Sequence, residues 1–185
     1  PVAVDNWAAI AQSLVEGHGY AVRSNLTGEM TPVAYRPPLY TLFLAGVFSV
    51  AGVSEHAGLV AGLVLDGLVA VIILLVGRLA SGRTWTGILA GLIYAFYSPE
   101  WNDVVRLYGT PIYTLLVGVL LLAIWGTLAH PSARRFAATG LVLGLIGLAR
   151  PTGPFMLPLV LVWLWLAIPV SRGQRLRWLG GTLLC

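Results

Sequence analysis

Residues 56–77 read HAGLVAGLVLDGLVAVIILLVG, and Asp66 is the only charged residue in that run. A helix needs about 20 predominantly apolar residues to cross the hydrocarbon layer of a membrane. Because lipid offers the backbone no hydrogen-bond partners, a segment of this kind must be helical. The run therefore predicts a membrane-spanning helix and indicates an integral membrane protein.

Four more apolar segments follow along the chain, at residues 85–97, 111–129, 136–149 and 154–170. Pro151 separates the last two, because it lacks an N–H and disfavours helical backbone at Arg150. With residues 56–77, these segments predict about five membrane helices over residues 56–185. The expected fold class is an all-α, polytopic integral membrane helical bundle. The chain starts at Pro1 without Met and stops at Cys185 in an apolar run, so we expect the bundle to be truncated at both ends.

The composition excludes several other classes of protein. Of 185 residues, 58% are hydrophobic and only 10% are charged, whereas a soluble domain carries about 25% charged residues. A soluble globule, a disordered chain and a nucleic-acid-binding domain are therefore excluded. The net charge of +4 does not indicate a nucleic-acid partner in such a chain, since basic residues collect on one side of the lipid bilayer.

The arginines indicate which side of the membrane each loop occupies. Alternate loops hold seven of the eleven basic residues and no acidic residue: Arg78, Arg83, Arg134, Arg135, Arg172, Arg175 and Arg177. Short loops rich in Arg remain in the cytoplasm. Residues 1–55 and the loop at 98–109 therefore face outward. Four Arg and six acidic residues remain on that outer side.

The outward residues 1–55 are too polar to span a membrane but carry a pattern of their own. From Asp5 to Glu16, apolar residues recur at helical spacing (Trp7, Ile10, Ala11 and Leu14), which predicts an amphipathic helix. Gly17 and Gly19 end it. The apolar stretch 39–53 is too short for a comfortable span, and we expect it to lie along the membrane interface.

Three groups of charged residues are candidates for chemistry or for packing. Arg150 lies at a helix break on the outer side, where a charge faces a cavity or a partner, or else extends to the interface. Glu100 and Asp103 lie three residues apart in the outer loop and could help to bind a divalent cation, or could simply face water. Asp66, inside a span, predicts a contact with another helix.

Several motifs in order carry a resemblance to a known family: Asp5-Asn6-Trp7, Gly17-His18-Gly19-Tyr20, Tyr35-Arg36-Pro37-Pro38-Leu39-Tyr40, and the run from Gly144 to Gly153 that reads GLIGLARPTG. Their order and the predicted topology resemble the N-terminal half of GT-C superfamily membrane glycosyltransferases. The nearest branch is that of the protein mannosyltransferases and aminoarabinose transferases. In such a protein one further transmembrane helix precedes the external loop.

The resemblance implies transfer of a sugar from a polyprenyl-phosphate donor to an acceptor hydroxyl at the outer face of a bacterial or archaeal cell membrane. The acceptor, whether protein, lipid or glycan, is not identified, and no cofactor is implied beyond the divalent cation. Asp5 takes the role of catalytic base, and a carboxylate can accept the proton of an attacking hydroxyl. N-capping of the first helix explains Asp5 equally well.

By the same resemblance Arg36 binds the donor phosphate, which suits the fork of guanidinium donors. For Arg150, whose position at a helix break calls for a partner, the donor phosphate or a carboxylate of a loop would serve. The alternative for Arg36 is an interfacial arginine that binds any lipid headgroup. Many family members carry an acid before the proline that starts the next helix, where this chain has Thr110. That departure leaves open a non-catalytic membrane scaffold. The other rival is a transporter or channel fragment, with Asp66 and Arg150 lining a path.

Overall fold

A computed structural model of the chain describes residues 6–24 and 28–167. Within those ranges the chain is almost entirely helical, which confirms the predicted all-α fold class. The α-helices are α1 (Asn6–Val15), α2 (Pro38–Ala51), α3 (Glu55–Ser81), α4 (Thr84–Ala95), α5 (Ser98–Val105), α6 (Thr110–Ala129), α7 (Ala133–Ala149) and α8 (Met156–Ala167). A 3-10 turn, Gly153–Phe155, joins the last two.

Two of these helices are long and apolar enough to cross a membrane. They are α3, with 27 residues, and α6, with 20, and both coincide with predicted spans. Helices α4, α7 and α8 coincide with the other three predicted segments but contain 12, 17 and 12 residues. At 1.5 Å per residue, α4 is only about 18 Å long. That these three helices also span the bilayer stays a prediction, as does the interfacial position of α2.

Helices α3 and α4 form a closely packed hairpin. An added Cβ on Gly91 would lie 2.9 Å from the Ala70 carbonyl oxygen, and Gly87 meets the backbone of α3 at a still closer approach. Small residues of this kind let the backbones of membrane helices touch. Across the same interface the Tyr94 hydroxyl donates a 2.7 Å hydrogen bond to Asp66 Oδ1. The predicted contact of Asp66 with another helix is thereby confirmed.

The N-terminal part of the chain, residues 6–24 and 28–51, is called the outer region here because the sequence predicts that it faces outward. It is built on the packing of α1 against α2. Trp7 and Ala11 of α1 are buried against Tyr40 and Leu44 of α2, which confirms the predicted amphipathic helix. Gly17 and Gly19 follow α1 with φ angles of 82° and 77°, a conformation that glycine adopts without steric cost. They end the helix as the sequence predicts. The chain can therefore turn back toward α2.

A short antiparallel hairpin joins α1 to α2 and was not predicted. Strand β1 (Ala21–Arg23) pairs with β2 (Met30–Pro32), with Val22 opposite Thr31. Strands of three residues are too short to show an alternating pattern in a sequence. Beside the hairpin, the Tyr20 hydroxyl donates to the Arg36 carbonyl at 3.0 Å and lies 3.1 Å from Thr41 Oγ1. These bonds fix the backbone that leads into α2.

A second core joins α6, α7 and α8. Leu120 and Ile124 of α6 pack against Phe136, Leu143 and Ile146 of α7. Helix α7 ends at Ala149, and Arg150 is extended, with φ −146° and ψ 142°. The predicted break before Pro151 is thereby confirmed. The residues of the fifth predicted span beyond 167 lie outside the described part of the chain.

Candidate active site

A cavity of about 400 Å³ opens where the outer region meets the ends of the longer helices. Its walls come from α1, from the segment before α2, from α5 and the turn into α6, and from the end of α7. The lining residues are Trp7, Arg36, Pro37, Asp103, Tyr108, Gly109, Thr110, Ala149, Arg150 and Pro151. Three of the residues predicted from the sequence, Arg36, Asp103 and Arg150, therefore line one cavity.

Arg150 is held by the first turn of α6. Its Nη2 donates a 3.1 Å hydrogen bond to Thr110 Oγ1, and its guanidinium carbon lies 4.7 Å from the centre of the Tyr113 ring. Thr110 and Tyr113 are three residues apart and so share one face of the helix. The side chain itself remains exposed. Its charge is therefore oriented by a hydroxyl and a ring but still available to a ligand.

The expected cap at the start of α6 is wrong in detail. Thr110-Pro111 is typical of an N-cap followed by proline at the first helical position, whereas the helix begins at Thr110 and Gly109 is the N-cap. The hydroxyl of Thr110 accepts from Arg150 instead. The Thr110 hydroxyl, which could have capped the helix locally, thus makes a tertiary contact instead.

Arg36 is held by aromatic rings. Its guanidinium carbon lies 5.1 Å from the centre of the Trp7 ring and 5.5 Å from that of Tyr35, which are cation–π distances. Pro37 is extended, with φ −62° and ψ 141°, and α2 begins at Pro38. The paired prolines restrict the backbone beside Arg36, and its carbonyl is fixed by Tyr20.

Asp103 is the one acidic residue among the described residues that line the cavity. From the sequence, residues 98–109 are described only as a loop. The part of that loop that carries Asp103 forms the two-turn helix α5. Glu100 belongs to the same helix, but its side chain lies outside the described atoms. Among the described residues no group of three or more His, Cys, Asp or Glu side chains could hold a metal ion. The divalent cation stays a prediction.

The turn between α5 and α6 is held by its own buried side chain. Leu107 has a φ of 55°, a left-handed conformation that is uncommon for any residue with a side chain. Its side chain is buried in the same cluster as Trp7 and Tyr40, which stabilises this backbone. Burial also raises the pKa of the Tyr40 hydroxyl, so Tyr40 stays neutral. The result is a fixed turn that presents Tyr108, Gly109 and Thr110 to the cavity.

Trp7 is the lining residue whose role sequence reasoning missed. The apolar pattern assigned it to the buried face of α1, and its side chain is indeed only 6% exposed. Its indole N–H, however, has no hydrogen-bond partner among the residues that the structure describes. Its position two residues after Asp5 was the signal available in the sequence. Asp5 itself lies outside the described residues, so its role stays a prediction.

The charges of the described lining suit an anion. Two guanidinium groups and one carboxylate give a net charge of +1, and both guanidinium groups offer several N–H donors. Arg–phosphate contacts are frequently bidentate and are strengthened by charge. A helical integral membrane protein with such a cavity outside its apolar spans is the class that fold and site define together.

The comparison with known families narrows that class. Residues 35–185 match the model of the dolichyl-phosphate-mannose-protein mannosyltransferase family. The chain belongs to this family, whose members are glycosyltransferases of the GT-C type, and the resemblance noted from the sequence motifs is confirmed. No curated protein and no solved structure matches the chain. The match includes Arg36, Asp103 and Arg150 but begins after Trp7.

Proposed function

We propose that the protein transfers a sugar from a polyprenyl-phosphate donor to an acceptor hydroxyl, and that the cavity binds the phosphate of the donor. The observation that carries this proposal is the meeting of Arg36 and Arg150 in one cavity, although they are 114 positions apart (150 − 36). Family membership supports the type of reaction. The two arginines in the cavity support the binding of the donor phosphate there.

The two arginines suit the charge that develops during the reaction. In the donor, a phosphodiester carries one negative charge beside the anomeric carbon. The acceptor oxygen forms the new bond to that carbon as the bond from carbon to phosphate oxygen breaks. The leaving phosphomonoester gains a second negative charge, so guanidinium groups bind the transition state more strongly than the bound donor. Such differential binding accelerates the chemical step.

A base must remove the proton of the acceptor hydroxyl, and we propose Asp5 for this role. Asp5 stands two residues before Trp7, which lines the cavity. Asp103 is the carboxylate of the described lining and is the competing candidate. We propose that Asp103 orients Arg36, Arg150 or the acceptor, and that a divalent cation, if one takes part, binds beside it.

The outer membrane face is the proposed side of the reaction. Helix α6 starts at the cavity and contains 20 residues, so its other end lies about 30 Å away. Arg134 and Arg135 follow at that far end, as the first turn of α7. Since Arg-rich loops stay in the cytoplasm, the cavity is expected at the opposite side. The donor and the acceptor would then meet outside the cell.

The test is a sugar-transfer assay with the full-length protein in membranes, a polyprenyl-phosphate-linked sugar and a mixture of acceptor hydroxyl compounds. Asp5→Asn should lower the rate by roughly 10²- to 10⁴-fold, the usual contribution of a general base. Arg150→Gln should weaken donor binding roughly ten- to a hundredfold. Arg134→Gln is the matched control, because Arg134 lies in the first turn of α7 at the end of α6 away from the cavity. It should leave the transfer rate and the donor affinity unchanged.

Three results would contradict the proposal. Full activity of Asp5→Asn would show that Asp5 is not the base. If Asp103→Asn lost activity while Asp5→Asn kept it, Asp103 would be the base. Solute flux without any sugar transfer by the unchanged protein would favour the transporter. Binding of the donor without turnover, with every acceptor offered, would favour a non-catalytic scaffold.

A further inference from the structure

Trp7 carries a buried hydrogen-bond donor for which the described residues provide no acceptor. The side chain is 6% exposed and lines the cavity, and its N–H has no acceptor among the residues that the structure describes. Buried indole N–H groups usually find a partner. A donor of this kind in the wall of a cavity indicates that a ligand supplies the acceptor.

The rest of the indole is already fixed by protein contacts. Tyr40 meets it in an edge-to-face arrangement with ring centres 5.6 Å apart. The guanidinium of Arg36 lies over the ring at 5.1 Å. These contacts fix the position of the ring, and none of them involves its N–H. The orientation of that N–H is therefore set by the packing of the ring.

We infer that the Trp7 N–H donates a hydrogen bond to a non-bridging oxygen of the donor phosphate, as a third donor beside Arg36 and Arg150. This inference rests on the proposed function. The lining already attracts an oxyanion, and an indole N–H is a donor only, so it cannot repel the anion. The N–H itself has almost no accessible surface, so the bond requires the side chains packed against the indole edge to shift as the phosphate binds.

The experiment measures the affinity of the purified full-length protein for polyprenyl phosphate and for the matching polyprenol, which lacks the phosphate. Trp7→Phe keeps an aromatic ring under Arg36 and removes the N–H. A hydrogen bond to a charged group is lost, so binding of polyprenyl phosphate should weaken roughly ten- to a hundredfold. Binding of the polyprenol should not change. A merely structural role of Trp7 would weaken the binding of both lipids.

Two further variants separate the N–H from the ring. Trp101→Phe is the matched control, because the Trp101 N–H donates to the Ala95 carbonyl at 3.1 Å on the exposed side of α5, away from the cavity. Its affinity should equal that of the unchanged protein. Replacement of the Trp7 indole by the benzothiophene analogue keeps the bicyclic ring and exchanges N–H for sulfur. This variant should lose as much affinity as Trp7→Phe.

The outcomes distinguish this inference from the proposed function. If the unchanged protein binds polyprenyl phosphate and Trp7→Phe binds it equally well, the inference is wrong and the proposed function stands. If Trp7→Phe weakens only the binding of the sugar-bearing donor, the N–H serves the sugar and the inference is again wrong. If the unchanged protein does not distinguish polyprenyl phosphate from polyprenol, both the inference and the proposed function fail.

Discussion

The two arginines of the cavity are held by different parts of the protein in different ways. Arg150 extends from the end of α7 and is oriented by a hydroxyl and a ring on α6. Arg36 precedes α2 and lies against the rings of Trp7 and Tyr35. The side of the cavity that carries Arg150, the Arg150 wall, therefore depends on the end of α7 and the start of α6. The side that carries Arg36, the Arg36 wall, depends on the aromatic core of the outer region.

The comparison shows two ways in which a protein can hold a guanidinium group at a cavity. A hydroxyl acceptor fixes the direction of one guanidinium N–H bond, whereas a ring attracts the cation over its face without fixing the direction of any one N–H bond. We expect the Arg150 wall to be sensitive to small shifts of backbone. The Arg36 wall should tolerate such shifts and should respond mainly to loss of aromatic packing.

The largest effect is expected at the turn that follows Arg150. An added Cβ on Gly153 would lie 2.6 Å from the Ile146 carbonyl oxygen and 2.7 Å from the Gly147 nitrogen. Gly153→Ala must therefore move the turn away from α7 and Arg150 away from Thr110. We expect sugar transfer to fall by at least about a hundredfold, because a misplacement of about 1 Å can cost that much. The measurement is the rate of transfer in membranes.

The matched control for that change is Gly46→Ala. Gly46 lies inside α2, and an added Cβ there meets nothing within 4 Å. A helical Gly→Ala change stabilises by about 0.5–1 kcal/mol, so activity should be retained. Equal activity of Gly153→Ala and Gly46→Ala would show that the Arg150 wall does not depend on this turn.

The next effect is expected at Tyr113. Tyr113→Leu removes the ring beneath Arg150 and with it a cation–π contact worth about 0.5–2 kcal/mol. Donor affinity should fall by roughly twofold to thirtyfold. Tyr113→Phe keeps the ring and should behave like the unchanged protein, since the hydroxyl makes a weak contact with the Met156 sulfur, at 4.0 Å, within the described part of the chain. Equal losses in both variants would assign the effect to the hydroxyl and not to the ring.

A smaller effect is expected at Thr110. Thr110→Val removes the acceptor of the Arg150 hydrogen bond while keeping the shape of the side chain. Because Arg150 is exposed, water can replace the hydroxyl, and the loss should be about 0.5–1 kcal/mol. That is a two- to fivefold weaker donor affinity, with Thr110→Ser restoring it. An unchanged affinity in Thr110→Val would leave Tyr113 as the residue that orients Arg150.

The smallest effect on activity is expected at Tyr20, behind the Arg36 wall. Tyr20→Phe removes the bond to the Arg36 carbonyl and the contact with Thr41. The free energy of unfolding should fall by about 1 kcal/mol, while transfer should change less than twofold because the rings that hold Arg36 remain. Thermal unfolding and the transfer rate, measured on one preparation, check both statements. A loss of activity as large as that of Tyr113→Leu would contradict the distinction between the two walls.

The sequence determined the class of fold and several residues of the site. The apolar runs predicted α3 and α6, and the spacing of Trp7, Ile10 and Ala11 predicted α1. Pro151 predicted the end of α7 before Arg150. These signals are local, since they depend on hydrophobic periodicity and on the backbone restrictions of proline, and they act within a few residues of where they are read.

The tertiary structure alone decided which of these residues meet. Nothing local in the sequence brings Arg36 and Arg150 to one cavity or gives the Thr110 hydroxyl to Arg150 and not to a helix cap. Nor does it show that the Trp7 N–H finds no acceptor within residues 6–24 and 28–167. The β1–β2 hairpin also escaped the sequence, because three-residue strands have no readable period. Such features depend on how helices distant in sequence pack. Packing is set by the sum of many weak contacts, whereas periodicity and proline act through the backbone of a single segment.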